Sequence, residues 1–555
     1  MMECPDEILH PYAAADVDVV QRCEPEMIPL LEEQGSTWLM ENITIPLVRC
    51  GVQLTMRGAY IDPEHFDKLC DYYADAIQKE KEVLYLKLGE LLGPFTDKDG
   101  VELERDEEGV ALYIDKPTYW QNLQELLFTQ LGLPLTEGKI DSAMTCEGCR
   151  SAGRNTPCGA KHAATSNELL MELFKSTKNE ALPILVDVKK LEKTHGTYLD
   201  GGDGGFRRYI RPDRRIHARW SAGAAETGRF TCSEPNMMNP PKNIKIHDET
   251  FGIDSDNAIR EMFSGRPGTV IMNADWSQLE LWVLAYETGD QTLLNLLLQG
   301  EDVHSFVARE MCKMNLSALF QSKTADDESV TNAEWRAKHE ELRDKAKVFT
   351  FGISYGLTEE GAADRLHCSK EQGRALIEAF LVIFPSLREF MRYIQTQVME
   401  LLGVPNKFGR WRHMPEVKIL QALNYTTDLE SLFREAVNFP IQSGGHDLHS
   451  LAHIATEQNK ELIKRAWPVS EMHDSLAFEA LGKLGDPDLS QTAWMIKSSW
   501  ETLARDLVLP SGDKLGWQIP VEVEWGPNFG RFLYKINARG QEMKKNPEGN
   551  WEPTS

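Results

Sequence analysis

Two aspartates lie in apolar, strand-like surroundings where their carboxylates could hold divalent metal ions. Asp275 follows a short apolar strand predicted at Thr269–Met272, and Asp474 lies within an apolar stretch at 468–479. On neighbouring strands, the two could bind a pair of Mg²⁺ ions about 4 Å apart, which would assist the transfer of a phosphoryl group. Mg²⁺ suits a site with few carboxylates because substrate phosphates complete its shell. Two distant aspartates alone remain a weak signal.

A helical stretch between these aspartates has side chains suited to a nucleotide. Arg343, Lys347, Phe351 and Tyr355 recur every fourth residue, which keeps them within a wedge of about 120° on one helix face. The cations suit phosphates, and the aromatic rings suit a base and sugar. An amphipathic core helix would explain the aromatics but not the cations beside them.

The surrounding pattern predicts the elements that position these residues. A long helix opens at Asp62-Pro63 and is ended by Gly89 and Gly93. Two further helical blocks are predicted, and helical periodicity dominates from about 291 to 434. Strand-like segments occur at 269–275, 468–479 and 517–525. The order of these segments along the chain (helical, strand, helical, strand) predicts a mixed α+β enzyme whose sheet is assembled from distant segments. The two blocks run from Pro117 through Leu133 and from Ser166 through Tyr198.

Composition excludes several classes of protein. The 555 residues are 41% hydrophobic and 26% charged, which argues against a disordered or fibrous chain. A formal charge of -26 argues against a protein that coats nucleic acid without specificity. Residues 189–245 nevertheless hold twelve Lys/Arg against six Asp/Glu, which is either a backbone-binding track or a solvated surface.

Other sequence features predict a cytoplasmic protein. The chain has no run of about 18 apolar residues, so we expect no membrane partner. Its acidic N-terminus lacks the features of a signal peptide. Most of its ten cysteines are isolated, which is typical of reduced thiols.

Five segments of the chain resemble the motifs of family A DNA polymerases, the bacterial DNA polymerase I type, in the same order. Weaker similarity extends from Tyr12 to near Phe532, with gaps at 95–115 and 138–165. The five segments are ETGRFTCSEPN at 226–236, DWSQLE at 275–280, RDKAKVFTFGISYG at 343–356, REAVNFPIQ at 434–442 and HD at 473–474.

The resemblance implies a right-hand polymerase fold with an antiparallel palm sheet, helical fingers and a helical thumb. It implies primer-template DNA and deoxynucleotides (dNTPs) as partners, two Mg²⁺ ions as cofactors, and addition of dNTPs to a primer 3′-hydroxyl with release of pyrophosphate. The chain size suggests a bacteriophage enzyme. The expected domains are a remnant of a 3′–5′ exonuclease domain (1–35), the thumb with a Cys/His insertion at 138–165 (36–204), the first part of the palm (205–300), the fingers (301–435) and the rest of the palm (436–555).

The resemblance also implies a role for each matching residue. Asp275 and Asp474 would ligate Mg²⁺, and Lys347 would donate a proton to pyrophosphate. Glu280 would exclude ribonucleotides by bulk. The nucleotide site would comprise Arg343, Phe351, Tyr355, Glu280, His304 and Gln278, and the DNA contacts would be Arg229, Asn236, Arg434, Asn438, Gln442 and His473.

Some positions depart from the family pattern. Trp282 stands where arginine is common, and Ser475 where a glutamate commonly follows the last aspartate. Loss of that carboxylate predicts an altered metal preference or rate. Phe351 in place of tyrosine implies discrimination against nucleotides that lack a 3′-hydroxyl.

Tyr12 and Asp16 resemble the last motif of the family's proofreading exonuclease, without the earlier motifs. One aspartate cannot assemble a two-metal hydrolytic site, so the chain alone is expected not to proofread. A separate exonuclease polypeptide could supply the rest, the segment could be a remnant, or both residues could simply lie on a helix.

A cysteine–histidine cluster offers four ligands of the type found in tetrahedral zinc sites. Cys146, Cys149, Cys158 and His162 form a CxxC pair followed by CxxxH. The cluster predicts a structural Zn²⁺ that stabilises an insertion, with ordinary free side chains as the alternative.

Two other functions remain open. A single-subunit RNA polymerase shares the palm aspartates, although Glu280 argues against it. A catalytically silent DNA-binding scaffold subunit would explain Trp282 and Ser475, but not the retention of Asp275, Asp474, Arg343 and Lys347.

Overall fold

A computed structural model describes residues 6–92, 123–134, 165–201, 204–315, 319–322, 335, 338–354 and 356–554. The chain separates into two compact units. The first comprises Met1–Tyr60, His217–Asn239 and Phe263–Ser555, and the second comprises Ile61–Ile216 and Pro240–Met262. The predicted boundaries of palm, fingers and thumb stay predictions.

Helices make up most of the described chain. The α-helices are α1 (Asp6–Glu33), α2 (Thr37–Leu39), α3 (Ile45–Arg57), α4 (Pro63–Leu92), α5 (Asn167–Thr177), α6 (Ala181–Tyr198), α7 (Ala258–Glu261), α8 (Leu279–Thr288), α9 (Gln291–Leu298), α10 (Val303–Met314), α11 (Glu340–Ser354), α12 (Glu359–Leu366), α13 (Lys370–Ile383), α14 (Pro385–Leu401), α15 (Glu416–Ala422), α16 (Thr426–Gln458), α17 (Lys460–Ile463) and α18 (Pro487–Asp506). Short π-helical stretches occupy Met40–Thr44 and Glu125–Gln130, and a 3₁₀ turn occupies Phe206–Tyr209.

The strands are short except in one sheet. They are β1 (Ala59–Tyr60), β2 (Arg215–Ile216), β3 (Arg219–Ser221), β4 (Thr231–Ser233), β5 (Ile246–Asp248), β6 (Ile253–Ser255), β7 (Thr269–Trp276), β8 (Gly403–Pro405), β9 (Trp411–His413), β10 (Ala466–Met472), β11 (Ser475–Leu481), β12 (Val521–Gly526), β13 (Tyr534–Ile536), β14 (Glu542–Lys545) and β15 (Trp551–Pro553).

The first unit is built on a seven-stranded sheet in the order β10-β11-β7-β12-β13-β14-β15. Every adjacent pair in it is antiparallel. Its central strands come from segments about 200 residues apart, as the sequence predicts. One face is buried against α18, where Trp276 stacks on Trp500 with ring centroids 5.3 Å apart. Because side chains alternate along a strand, Asp275 points to the opposite face from Trp276.

The second unit is mainly helical. Its core is a leucine-rich cluster between α4, the π-helical stretch, α5 and α6. The predicted helix from Asp62 is confirmed as α4, opening with Pro63 at its first position and Asp62 Oδ1 accepting from the Glu64 N–H.

Three sequence predictions differ from the structure. The block from Ser166 to Tyr198 is two helices, separated at Lys178, which has φ +58°. The helical region 291–434 also contains the β8–β9 hairpin. The strand-like segment 468–479 is a hairpin of two strands, because the chain reverses at His473 and Asp474.

The helices of the described ranges include none with the length and apolar character needed to cross a membrane.

Candidate active site

Strand register brings the two predicted metal-binding aspartates to one end of the sheet. Asp275 on β7 is paired with Ser475 on β11, and Asp474 is the residue just before Ser475. On the other side of β7, Asp275 is paired with Glu522 on β12. Directly opposed residues share a face of the sheet, so this end presents carboxyl groups from two neighbouring strands and a turn.

The turn that carries Asp474 is tight. Met472 pairs with Ser475, which leaves His473 and Asp474 as a two-residue loop. His473 has φ +57°, and a positive φ at the first loop residue is typical of a type II′ hairpin turn. The Ser475 hydroxyl donates to the Met472 carbonyl oxygen at 3.0 Å. In place of the family's glutamate, Ser475 therefore fastens the base of the turn.

Arg229 joins two of the predicted site residues. Its Nη2 lies 3.7 Å from Glu280 Oε1 and 3.7 Å from Asp474 Oδ1. All three side chains retain about a fifth of their exposure, at 22%, 19% and 22% for Arg229, Glu280 and Asp474. The structure thus brings together a predicted DNA contact, the predicted ribose filter and a predicted metal ligand.

A buried ion pair supports the backbone next to Arg229. The Arg410 guanidinium donates to Asp447 Oδ1 at 2.7 Å, and Asn406 Nδ2 donates to Asp447 Oδ2 at 2.7 Å. Gly228 has φ +82°, and a Cβ there would lie 2.4 Å from Arg410 Cζ. Only glycine lets the backbone come so close to Arg410 in this conformation.

Glu280 is positioned by the start of α8. Gln278 adopts a left-handed conformation, φ +56° and ψ +40°, and its carbonyl oxygen accepts from the Leu281 and Trp282 N–H groups. This places Glu280 in the first turn. Trp282 points inward, with 2% exposure, and stacks on Tyr286 at 6.0 Å. The departure at Trp282 is therefore part of the hydrophobic core.

The predicted nucleotide helix is α11, and one of its cations is already engaged. Arg343 Nε donates to Asp302 Oδ2 at 2.6 Å, and the Ser305 hydroxyl donates to the same oxygen at 2.7 Å. Burial raises the pKa of Asp302, but these hydrogen bonds and the Arg343 charge outweigh burial and hold it below its ordinary value. His304 lies buried in the first turn of α10, and Lys347 is exposed on α11. The Phe351 side chain and Tyr355 lie outside the described residues.

The predicted DNA contacts on α16 share one stripe. Arg434, Asn438 and Gln442 are half-buried, whereas the residues between them are mostly buried. Gly356 packs against this stripe, because a Cβ there would lie 2.4 Å from Arg434 Cβ. His473 is exposed in the turn that carries Asp474. Asn236 is exposed after β4, where its Oδ1 accepts from the Met238 N–H at 3.0 Å.

The donor set at the sheet end fits Mg²⁺. Asp275 and Asp474 provide oxygen ligands from a strand end and a turn, and Mg²⁺ accepts few protein carboxylates together with water and phosphate oxygens. Across the described part of the chain, no group of three or more His, Cys, Asp or Glu side chains is arranged for a metal ion. The zinc prediction at Cys146, Cys149, Cys158 and His162 lies outside the described residues.

Sequence reasoning missed several residues around the site. Glu522 and the contact between Arg410 and Asp447 were not predicted, since Glu522 and Arg410 lie in segments outside the five motifs. The sequence did contain one signal: polar His446, Asp447, His449 and His453 interrupt an otherwise apolar helical pattern just before the strand that leads to Asp474.

Comparison with known proteins gives consistent similarities. A model of DNA polymerase family A matches residues 120–530. The DNA polymerase I of Chloroflexus aurantiacus is 27% identical over 533 residues, which cover 95% of this chain and 47% of that protein. The DNA polymerase I of Rhizobium leguminosarum is 26% identical over 499 residues, covering 88% of this chain and 40% of that protein. The chain thus spans less than half the length of these curated relatives.

A solved structure has the same fold. The POL domain of Pol1 from M. smegmatis, in complex with DNA primer-template and dNTP, superposes with a TM-score of 0.66 at 23% sequence identity. The match covers 90% of this chain and 72% of that one. This similarity confirms the predicted α+β right-hand polymerase fold.

Proposed function

This chain belongs to DNA polymerase family A, and we propose that it is a DNA-directed DNA polymerase that adds dNTPs to a primer 3′-hydroxyl and releases pyrophosphate. The observation that carries the proposal is the meeting of Asp275, the Asp474 turn, Arg229 and Glu280 at one end of the sheet. Their chemistry suits phosphoryl transfer on a nucleic-acid strand.

Asp275 and Asp474 would hold two Mg²⁺ ions between the primer end and the nucleotide. When bound, these ions would lower the pKa of the 3′-hydroxyl and neutralise charge on the transferring phosphoryl group. Support comes from the register of β7 and β11 and from the tight turn, which fix the two carboxylates on rigid elements. Glu522, opposite Asp275, adds negative charge beside them.

The cations of α11 would receive the triphosphate. Arg343 contacts Asp302, so nucleotide binding would exchange that carboxylate for phosphate oxygens or add to it. Lys347, exposed one turn further along, would bind the triphosphate and donate a proton to the leaving pyrophosphate. His304 would contribute from α10, and Phe351 and Tyr355 would pack on the nucleotide and the templating base.

Glu280 and the α16 stripe would select the substrates. The Glu280 side chain, beside Arg229, would occupy the space of a ribose 2′-hydroxyl, and Gln278 would line the same nucleotide site. Arg434, Asn438 and Gln442 would contact the primer-template minor groove together with Arg229, Asn236 and His473. Minor-groove acceptors vary little among base pairs, so these contacts would test pair geometry without requiring a sequence.

Several finer features of the proposal rest on the sequence alone. These are the structural zinc, the bacteriophage origin, the exonuclease remnant around Tyr12 and Asp16, and the expectation that this chain alone does not proofread. A separate exonuclease polypeptide remains a proposed partner.

The decisive test is extension of a recessed DNA primer with Mg²⁺, using deoxy- or ribonucleotides. Wild type should extend with deoxynucleotides, and Asp474→Ala should lose at least about 10³-fold in rate, which is about 4 kcal/mol of transition-state stabilisation. Asp513→Ala, a change of the same type in an exposed loop, is the matched control and should extend normally. Extension with ribonucleotides only would favour an RNA polymerase, and DNA binding without extension would favour a silent scaffold subunit.

A further inference from the structure

The C-terminal half of α16 carries a buried polar stripe that the proposed mechanism does not use. His446, His449 and His453 are 1%, 0% and 0% exposed, and Glu457 lies one turn beyond His453. At 100° per residue these four lie within about 80° of one another on the helix. The same face of α16 bears the predicted DNA contacts Arg434, Asn438 and Gln442 nearer its N-terminus.

The stripe joins three elements through charged contacts. His453 Nδ1 lies 2.9 Å from Glu471 Oε2 on β10, and His453 Nε2 lies 3.8 Å from Glu457 Oε1. Glu457 in turn accepts from both terminal nitrogens of Arg57, at the end of α3, at 2.5 and 2.8 Å. Arg57 Nη1 also donates to the Pro468 carbonyl oxygen of β10 at 3.2 Å. The side chains thus form one continuous network of charged contacts, which runs from Arg57 through Glu457 and His453 to Glu471.

Charge balance within this network requires a proton on its histidine. Arg57 compensates one of the two carboxylates, Glu457 and Glu471, and a second buried carboxylate needs its own partner. Burial lowers the pKa of His453, but Glu457 and Glu471 outweigh it and raise the pKa above its ordinary value. Among the three histidines of the α16 stripe, His453 is the one that has a carboxylate near both ring nitrogens.

The other groups that face His453 do not compete for this role. Burial lowers the pKa of His449, whose Nε2 lies 3.8 Å from Glu471 Oε1. Burial also lowers the pKa of His446, to about 3. On α3, burial raises the pKa of the Cys50 thiol, which keeps it neutral. The Phe230 ring, 6.1 Å from the His453 ring, completes the surroundings.

This network of charged contacts ends next to the turn that carries Asp474. Glu471 is three residues before Asp474, on the strand that leads into the turn. Phe230, packed on His453, directly follows Arg229, which faces Asp474 and Glu280. A shift of β10 relative to α16 would therefore displace Asp474 relative to Arg229.

We propose that His453 is a positioning residue of the active site, which bridges Glu471 and Glu457 as an imidazolium and so locks the β10–β11 hairpin, and with it Asp474, onto α16 and α3. The inference rests on the proposed polymerase function. It extends that function by making the rate of nucleotide addition depend on a proton held outside the metal and substrate contacts.

The test compares single-turnover primer extension from pH 6 to 9.5 in three variants and wild type. Glu471→Gln is isosteric and removes one carboxylate beside His453. His453→Gln removes the titrating group. His446→Gln is the matched control, because His446 is a buried histidine on the same helix that makes no ion pair within 4 Å to a carboxylate of the described residues. The rate of each protein is divided by the rate of His446→Gln at the same pH.

The ratio of the wild-type rate to the His446→Gln rate should fall at least threefold as pH rises through the pKa of His453, because the imidazolium is lost. Glu471→Gln should move this fall to lower pH by about one unit or more, and His453→Gln should give a low ratio without any fall. A role in packing alone would lower rates without moving a midpoint. Identical pH profiles for wild type and His453→Gln, with wild type active, would overturn the inference alone. Absence of extension by wild type would instead refute the proposed function, and the positioning role with it.

Thermal unfolding gives a second readout that needs no activity. A histidine whose folded pKa is raised contributes stability that is present below its unfolded pKa, near 6.5, and is lost as pH rises through the folded pKa. The difference in Tm between wild type and His453→Gln should therefore shrink from pH 6 to pH 9.5. A difference that stays constant would contradict an imidazolium at His453.

Discussion

At the scale of single residues, one guanidinium faces two carboxylates with different proposed tasks. Arg229 Nη2 is equally far, 3.7 Å, from the proposed ribose filter Glu280 and the proposed metal ligand Asp474. Arginine remains charged at every accessible pH, so it offsets the repulsion between these side chains. The proposed sugar selection by Glu280 and the proposed metal binding by Asp474 would thus be physically connected through Arg229.

Glu280 gives the first prediction at this scale. Shortening it in Glu280→Ala should raise ribonucleotide incorporation relative to deoxynucleotide incorporation by at least tenfold, about 1.4 kcal/mol of discrimination, because the space for a 2′-hydroxyl opens. The measurement is kcat/KM for each nucleotide in primer extension. Glu280→Gln keeps the bulk and removes the charge, so it should still exclude ribonucleotides. If Glu280→Gln admits them as well as Glu280→Ala does, exclusion is electrostatic and the steric explanation is wrong.

Glu287 gives a prediction about stability and pH. Its Oε1 is buried without a hydrogen-bond partner among the described residues, and burial raises its pKa to about 7 despite the opposing charge of Lys407. The folded state therefore keeps a proton that the unfolded chain loses between pH 4.5 and 7, so stability falls as pH rises through this range. Glu287→Gln should abolish that loss, which amounts to at most about 3 kcal/mol.

The measurement for Glu287 is the free energy of unfolding of wild type and Glu287→Gln at pH 5 and pH 8. The two proteins should be similar at pH 5, and the variant should be more stable at pH 8. Glu461→Gln, an exposed carboxylate on α17, is the control. Equal stability of wild type and Glu287→Gln at both pH values would mean that Glu287 is ionised in the folded protein.

At the scale of elements, the β10–β11 hairpin separates what the sequence predicts from what it does not. Asp275 at the end of a strand follows directly from the apolar pattern before it, and the structure confirms β7. The reversal at His473 and Asp474 is hidden, because both strands of the hairpin are apolar and the turn lacks glycine or proline. Only the φ of +57° at His473 marks it, and periodicity does not report a dihedral angle.

The supporting contacts of the site were beyond sequence reasoning for a different reason. Arg57 and Glu457 are 400 residues apart, and Arg410 and Asp447 are 37 apart. Each side chain by itself resembles an ordinary surface charge, on a helix for Arg57, Glu457 and Asp447 and in a turn for Arg410. Their partners are fixed by the packing of α3, α16 and the sheet, which no local pattern specifies. The motif residues themselves were predictable because each lies within a short recognisable segment.

The junction after α11 gives a prediction for an element. Gly356 has φ +70°, and a Cβ would lie 2.4 Å from Arg434 Cβ, an atom fixed by the α16 backbone. Gly356→Ala combines a left-handed alanine, about 1–2 kcal/mol, with overpacking, about 1–3 kcal/mol. We expect a loss of about 2–5 kcal/mol in unfolding free energy, and weaker DNA binding because Arg434 is displaced.

Chemical denaturation and primer-template affinity together measure the effect of Gly356→Ala. Gly444→Ala is the control on α16, since its nearest neighbour, Val283 Cγ1, is 3.6 Å from the added Cβ and its backbone is helical. That variant should keep both stability and affinity. A Gly356→Ala protein as stable as wild type would mean that the junction and α16 move apart at little cost.

At the scale of the whole molecule, net charge and local charge point in opposite directions. The chain carries a formal charge of -26, yet residues 189–245 hold an excess of cations. DNA phosphates respond to charges within about a Debye length, about 8 Å at physiological salt. Affinity should therefore follow the cations that touch the backbone and depend little on the total, so that an acidic protein can still bind DNA.

The dependence of DNA affinity on salt should therefore reflect the cations of the basic stretch. Each phosphate neutralised by Lys or Arg adds about 0.9 to the slope of log affinity against log salt. Arg211 and Arg214 are exposed in the basic stretch, so the double variant Arg211→Gln/Arg214→Gln should lower the slope by up to about 2.

The control is the double variant Lys464→Gln/Lys514→Gln. Both lysines are 69% exposed and lie outside the basic stretch. Both double variants are more negative than wild type by the same two charges. A slope that falls equally in both would show that total charge governs binding, and a slope unchanged in both would mean that the basic stretch is a solvated surface.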